Sequence, residues 1–205
     1  MYVSRSKKDV PVQHMFRWLT RPSKKMATPG HLITKEHRQE LFGKVGGGAG
    51  SVRPEQFQRA HIVQETGCPC PKTNVRINLR TGTLERMAHP NMNVDGFDYS
   101  EDFDGVQHIG PLKTVYINLK CVVGKGGSQT RSLREVYWFV EGQLKVLKGP
   151  CTGLVYFANI LDGDEAHAVL PKFEYLLTRP EFATVRSRVY VGDLVGYPNW
   201  CRTIL

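Results

Sequence analysis

The chain has 205 residues, enough to bury the core of one domain, and its 40% hydrophobic and 23% charged residues exclude global disorder. Its formal net charge of +9 favours a polyanionic partner, and five scattered cysteines favour a reducing compartment over a disulfide framework. No apolar run approaches the roughly 20 residues that a membrane-spanning helix needs, and no signal-peptide pattern follows Met1. The composition therefore predicts an intracellular protein, in the cytoplasm or nucleus, without a membrane segment.

Much of the positive charge lies at the start of the chain. The first 45 residues contain ten Lys or Arg, including Lys24 and Lys25, against three acidic residues, so this segment alone supplies +7. Basic segments bind polyanions because neutralised phosphates release counterions. We predict a basic N-terminal arm over 1–33, with Lys24 and Lys25 in contact with nucleic acid, and an α/β domain over 34–205. A solvated basic tail is the alternative.

Two helices precede the first predicted strands. A threonine N-cap opens a helix over 34–45, which the glycine run 46–50 ends as a hinge or loop. A second helix is predicted over 54–66, because Pro54 is favoured in a first helical turn. A loop over 68–72 leads from this helix to the strands.

Alternating apolar and polar residues predict the next elements. Residues 74–80 and 83–87 flank Thr81-Gly82 as a hairpin, and we expect the central sheet to begin with it. An acidic, turn-rich stretch over 91–104 then leads to a strand over 106–109.

The strand predicted over 114–123 carries two different faces. One face is apolar, and the other presents polar side chains because successive residues of a strand point to opposite sides. The apolar face consists of Val115, Ile117, Leu119, Cys121 and Val123, and the polar face of Tyr116, Asn118 and Lys120. Asn118 and Lys120 are therefore expected to point the same way.

Helices and strands alternate in the second half of the chain. Apolar residues at helical spacing predict a long helix over 129–147, and the nearly continuous apolar run 154–161 predicts a strand buried on both faces. A helix over about 164–177 and a final strand over 189–191 follow. This order predicts an α/β fold with a mixed central sheet flanked by helices.

The acidic stretch and the strand after it resemble the motif of the PD-(D/E)xK superfamily, the restriction-endonuclease-like nucleases. Asp104 precedes the strand pair, and Lys120 follows it by sixteen residues, two after Asn118. The order of elements over 34–161 is also similar to the core of that family. The resemblance implies a restriction-endonuclease-like core in which acidic residues bind one or two Mg²⁺ ions and the lysine orients the attacking water.

Asn118 departs from the family pattern, because most members have Glu or Asp at that position and an amide is a weaker ligand for Mg²⁺. Some members supply the carboxylate from the following helix, and Glu135 lies fifteen residues after Lys120. The resemblance thus implies Asp104 and Glu135 as metal ligands, assisted by Asn118 or the carbonyl of Leu119. Two alternatives stay open: Ser132 and Glu135 match a capping box, and Asn118 could mark a site that binds without cleaving.

Other family positions match by type. Gln129, Arg131 and Arg134, on the helix after the lysine strand, are similar to residues that contact nucleic acid in many members, and Lys125 lies in the glycine-rich loop before them. A flexible loop with surface arginines is the alternative. The acids competing with Asp104 are Asp95, Asp98 and Asp102, and the acid that some members contribute from their first helix is matched by Glu40 or Glu65.

The sequence therefore predicts a DNA endonuclease that depends on Mg²⁺, with Mn²⁺ as a substitute. A homodimer is the arrangement expected if both strands of a duplex are cut. The first alternative is a non-catalytic nucleic-acid-binding or viral structural protein with the same fold. A weaker alternative is a basic structural protein that packages RNA.

Overall fold

The computed structural model describes residues 49–86, 98–124, 126–149 and 154–205, and within these ranges the side chains of 49–53, Ser128 and Gln129 are not described. Several predictions lie outside the described residues: the arm over 1–33 with Lys24 and Lys25, the helix over 34–45 with Glu40, and the residues Asp95 and Lys125.

The described elements alternate between helices and strands. In chain order they are helix α1 (Ala49–Thr66), strands β1 (Val75–Asn78), β2 (Thr83–Arg86), β3 (Gly105–Ile109) and β4 (Lys113–Cys121), helix α2 (Gly127–Lys148), strand β5 (Leu154–Asp162), helix α3 (Asp164–Thr178), 3-10 turns Pro180–Phe182 and Arg186–Arg188, strand β6 (Val189–Gly192) and helix α4 (Tyr197–Thr203).

The predicted mixed sheet is confirmed. Its four strands lie in the order β3-β4-β5-β6, with β3 antiparallel to β4 and the remaining neighbours parallel. Helix α2 connects β4 to β5 and α3 connects β5 to β6, as parallel neighbours require a crossover. Buried residues of α2 and α3 pack on one face of the sheet, and those of α1 and α4 pack on the other.

Burial along the central strands follows the predicted patterns. In β4, Val115, Ile117 and Leu119 are at most 1% exposed and belong to the cluster that α1 covers. In β5, Phe157 and Ala158 lie in the clusters on opposite faces, which explains why this strand is apolar on both sides. The long helix and the strand predicted around 154–161 are confirmed.

The hairpin of β1 and β2 is confirmed as an antiparallel pair, but the expectation that it begins the central sheet is wrong. It forms a separate two-stranded sheet. The reason is that β1 bonds along its other edge to the segment before β3: the amide of Phe103 donates to the Val75 carbonyl at 3.0 Å, and that of Ser100 to the Ile77 carbonyl at 2.9 Å.

Two boundaries and one additional element also differ from the predictions. Helix α1 begins at Ala49, so Pro54 lies inside it and the last two residues of the glycine run are helical. Strand β4 ends at Cys121, two residues earlier than predicted. The short helix α4 was not predicted, because seven residues containing a proline give little periodic signal.

The first turn of helix α3 is hydrogen-bonded to Val122, the residue that follows β4. The carbonyl of Val122 accepts hydrogen bonds from the amides of Glu165 and Ala166 at 3.1 and 3.2 Å, which caps the helix without a side chain. Gly163 makes the approach possible: its φ is +101°, and a Cβ atom there would lie 2.4 Å from the Val122 oxygen.

No helix in the described ranges is long and apolar enough to cross a lipid bilayer.

Candidate functional site

Asp104 lies directly before β3 and completes the end of the β3–β4 pairing. The pairing of the two strands begins with Gly105 opposite Ile117. The amide of Leu119, two residues further along β4, therefore lies beyond the end of β3 and donates to the Asp104 side chain instead of to a strand carbonyl. The Oδ2 atom of Asp104 accepts that amide hydrogen bond at 2.8 Å. Among the described residues, the other carboxylate oxygen accepts no hydrogen bond, so it is available to a ligand.

Gly105 and Arg59 hold Asp104 in place. A Cβ atom at Gly105 would lie 2.7 Å from the buried Sγ atom of Cys70, so glycine lets the loop after α1 approach the strand. The Nη1 atom of Arg59 donates to the main-chain oxygen of Asp104 at 3.2 Å. Helix α1 and its following loop therefore fix the start of β3.

Lys120 comes from the end of β4, and its side chain is only 27% exposed. Its Nζ atom lies 3.3 Å from the Oε2 atom of Glu101, a carboxylate that is 80% exposed. Lys120 also lowers the pKa values of Asp104 and Glu55 by its positive charge, although other causes outweigh it in both cases. The structure thus brings Asp104 and Lys120 into one electrostatic neighbourhood.

Glu55 is the acid that the sequence predictions missed. Burial raises the pKa of Glu55, and the nearby Asp104 carboxylate raises it further, while Lys120, Arg59 and Lys72 oppose the rise. The signal in the sequence was weak: Glu55 stands four positions before Arg59, so the two share one face of α1. Glu65 is exposed at the far end of α1, ten residues and therefore about 15 Å along the helix.

The pKa of Asp104 is also raised, chiefly by burial. The Leu119 amide, Lys120 and Arg59 favour the charged form of Asp104 but do not cancel the effect of burial, and Glu101 adds to the rise. Asp104 and Glu55 are thus two partly buried carboxylates whose raised pKa values persist beside Lys120 and Arg59, and such perturbed groups are typical of functional sites.

Asp102 is the least suitable of the competing acids that the structure describes. Both of its oxygens bond to Arg76, at 2.5 Å to Nε and 3.1 Å to Nη2, so its charge is already matched. The carbonyl of Asp98 accepts the amide of Leu79 at 2.7 Å and helps fix the hairpin. Asp104 remains the best candidate of this stretch.

Asn118 is 3% exposed and belongs to a row of buried amides. Its Nδ2 atom donates to Oδ1 of Asn159 on β5 at 3.3 Å, and Asn159 exchanges hydrogen bonds of 3.0 and 2.8 Å with Gln143 on α2. These bonds give Asn118 a structural role, whereas its role in the chemistry stays a prediction. They also explain a neutral residue here, because a carboxylate would face the Asn159 oxygen.

We therefore expect Asn118→Asp, which introduces a carboxylate at this buried position, to destabilise the fold by about 3 kcal/mol, because it buries a charge against an acceptor. Urea unfolding at pH 7 measures this change. Asn199→Asp is the control: Asn199 is exposed and accepts a bond from Arg202 at 2.6 Å, so that variant should stay within about 0.5 kcal/mol. Unchanged stability of Asn118→Asp with tighter Mg²⁺ binding would contradict this prediction.

Helix α2 carries the remaining predicted residues. It begins at Gly127 with Gly126 as N-cap, so Ser132 and Glu135 lie inside it and the capping-box alternative is wrong. Glu135 is exposed, beside the buried Val136. The charged groups with the largest effects on Asp104 are Lys120, Glu101 and Arg59, and a metal-binding role for Glu135 stays a prediction.

Arg131 and Arg134 are exposed on the first turns of α2, as contact with a ligand requires. The described backbone of Gln129 lies in the same turn, since the helix begins two residues before it.

A buried hydrogen-bonded pair holds α1 against the sheet beside this site. The Nε2 atom of Gln58 donates to Oδ2 of Asp162 at 2.7 Å and to the main-chain oxygen of Lys120 at 3.3 Å. The Oδ1 atom of Asp162 accepts the amide of Leu194 at 3.2 Å. The Oε1 atom of Gln58 is buried without a hydrogen-bond partner among the described residues. Gln58 thus connects the helix that carries Glu55 to the strand that carries Lys120.

The site consists of three elements: α1 with Glu55, the start of β3 with Asp104, and the end of β4 with Lys120. Among the described residues, no three His, Cys, Asp or Glu side chains form a group that could hold a metal ion. Comparison of the chain with protein-family models, curated proteins and solved structures found no match.

Proposed function

We propose that the chain is a divalent-cation-dependent nuclease that hydrolyses phosphodiester bonds in DNA. The observation that carries the proposal is the convergence of Asp104, Glu55 and Lys120: burial raises the pKa values of both carboxylates, and the charge of Asp104 raises that of Glu55 further. Such a pair beside a lysine suits a cation and a phosphate together.

The order of elements supports a restriction-endonuclease-like core. Helix α1 precedes the antiparallel pair β3–β4, and α2 leads to β5, which lies parallel to β4. Asp104 and Lys120 fall at the start of β3 and near the end of β4, where the family resemblance expects its aspartate and lysine. The basic segment before α1 would add contacts to the phosphate backbone.

The donor set fits Mg²⁺, with Mn²⁺ as a substitute. Mg²⁺ is commonly held by one or two carboxylates together with water and substrate phosphate oxygens, so Asp104 and Glu55 are sufficient protein ligands. Glu135 and the carbonyl of Leu119 are further candidates. When bound, the ion would supply Lewis-acid stabilisation of the charge that develops on the phosphate.

The chain's own residues then have separate tasks. Asp104 and Glu55 would hold the cation, and Lys120 orients the attacking water. The water oxygen bonds to phosphorus and its proton passes to solvent, while the bond to the leaving oxygen breaks and that oxygen takes a proton from solvent. Arg59 and Lys72 contribute positive charge beside Glu55, which attracts the nucleic-acid backbone. Cutting both strands of a duplex would require two such sites, and therefore a homodimer.

The test is cleavage of supercoiled plasmid DNA with Mg²⁺ or Mn²⁺ by the wild type and by Lys120→Ala. We expect Lys120→Ala to lower the rate by on the order of 10²-fold or more, as for the loss of a group that positions a reactant and stabilises developing charge. Lys113→Ala is the matched control, because Lys113 lies at the opposite end of β4 and bonds to the carbonyl of Leu205. Its rate should stay within about two-fold of the wild type.

The second candidate function is nucleic-acid binding without cleavage. It is favoured by Asn118, which is neutral and bonded to Asn159 where the family usually has an acidic ligand. Wild-type protein that shifts DNA in a gel yet leaves it intact with Mg²⁺ and Mn²⁺ would assign this function and exclude the nuclease.

A further inference from the structure

A cleft of about 740 Å³ lies between α2 and α3, outside the residues discussed above for catalysis. Its size is within the range of pockets that hold small organic groups. Its described lining comes from α2, from α3 and from Gly124 before α2, and it includes Arg134, Tyr137, Trp138, Lys172 and Tyr175.

Aromatic rings dominate the chemistry of this cleft. Trp138 on α2 is 66% exposed and Tyr175 on α3 is 69% exposed. Between the helices, the ring of Tyr137 packs against that of the buried Phe173, with centroids 5.6 Å apart. Two large rings left this exposed on neighbouring helices indicate a surface that a planar or apolar group covers.

The charged residues of the lining indicate which class of ligand fits the cleft. Arg134 and Lys172 are cationic, and Glu165 is the one acid among the lining residues that the structure describes. Exposed rings next to cations suit a nucleotide, whose base stacks on a ring and whose phosphate pairs with Arg or Lys. A second copy of this chain is a poorer occupant of the cleft, because a symmetric contact through this face would bring Arg134 and Lys172 of both copies together.

One residue of the cleft lining lies close to the candidate active site in the sequence. Gly124 belongs to this lining and follows Lys120 by four residues, which span at most ~14 Å. A nucleic-acid strand whose phosphate lies at Lys120 could therefore continue into the cleft. A base within a duplex cannot stack on protein rings, whereas an unpaired base can.

We propose that the α2–α3 cleft binds an unpaired nucleotide of a DNA strand. The base stacks on Trp138 and Tyr175, and Arg134 and Lys172 contact the adjoining phosphate. This inference rests on the proposed function and extends it, since it assigns a single-stranded segment to the substrate.

The experiment measures binding of the full-length protein to a fluorescently labelled 12-nucleotide oligothymidylate, by fluorescence anisotropy in the presence of EDTA. We expect Trp138→Ala and Tyr175→Ala each to raise the Kd at least about five-fold. A 12-base-pair duplex should be bound by the same variants within about two-fold of wild type. Leu112→Ala is the matched control, because Leu112 is a 74% exposed apolar residue outside the cleft lining.

Three outcomes would overturn the inference: no binding of the oligonucleotide by the wild type, wild-type affinity in both ring variants, or equal losses for oligonucleotide and duplex. A wild-type dimer that Trp138→Ala dissociates, measured by light scattering, would assign the cleft to a second copy and also overturn it. Binding that depends on Trp138, in a protein that cleaves no DNA, would sustain this inference while excluding the nuclease.

Discussion

Asp104→Asn is expected to abolish DNA cleavage, by on the order of 10³-fold, and at the same time to raise the melting temperature of the metal-free protein. The asparagine keeps an oxygen for the Leu119 amide, so the end of the β3–β4 pairing survives. It removes a carboxylate whose pKa is raised by burial. An acid with a raised folded pKa loses stability as pH rises, so its removal stabilises the fold at neutral pH.

Cleavage rates and thermal melting with and without Mg²⁺ measure both effects. Wild-type protein should gain melting temperature when Mg²⁺ is added, and Asp104→Asn should gain much less. Asp102→Asn is the matched control, because it weakens the ion pair with Arg76 and should lower stability while leaving cleavage intact. A fully active Asp104→Asn variant would contradict the assignment of the metal ligand.

Asp162→Asn is expected to remove a large pH dependence of stability. Asp162 is fully buried, and burial raises its pKa from 3.8 to about 7. Between these values the folded chain keeps a proton that the unfolded chain has lost, so the free energy of unfolding falls by about 1.4 kcal/mol per pH unit. Asp162 therefore makes the free energy of unfolding about 4 kcal/mol lower at pH 7 than at pH 4.

Urea unfolding from pH 4 to 8 tests this expectation. Asn can accept the Leu194 amide and pair with Gln58, whose Oε1 atom has no partner among the described residues. The two stability curves should meet near pH 4 and separate above it, with the variant more stable at pH 8. Asp193→Asn is the control, since it removes the neighbouring acid but keeps the slope. Equal slopes in Asp162→Asn and wild type would contradict the prediction.

The sequence predicted those features whose signal is local. Alternation along β4 identified the faces of Ile117 and Asn118, and helical spacing identified α2, because both periods repeat within a few residues. The second pairing of β1 was not predictable in this way, because the Val75 carbonyl bonds to the amide of Phe103, 28 residues further along the chain.

The same distinction applies to the candidate site. Asp104 and Lys120 were identified by their spacing on adjacent strands. Glu55 lies 49 residues before Asp104, on a helix, and the residues around Glu55 do not indicate that Asp104 is near it in the fold. The amide row of Asn118 was also hidden, because its partners Gln143 and Asn159 are distant in sequence and meet only when α2 packs on the sheet.

Gly163 has a consequence for how far the chain can vary. Val122 directly follows β4, the strand that carries Lys120. Its carbonyl also caps α3, the helix that forms one wall of the cleft. Any side chain at position 163 would meet that oxygen and would also require a backbone conformation that only glycine adopts readily. We therefore expect no other residue to be accepted at position 163. A shift of the backbone there would displace both the end of β4 and the start of α3.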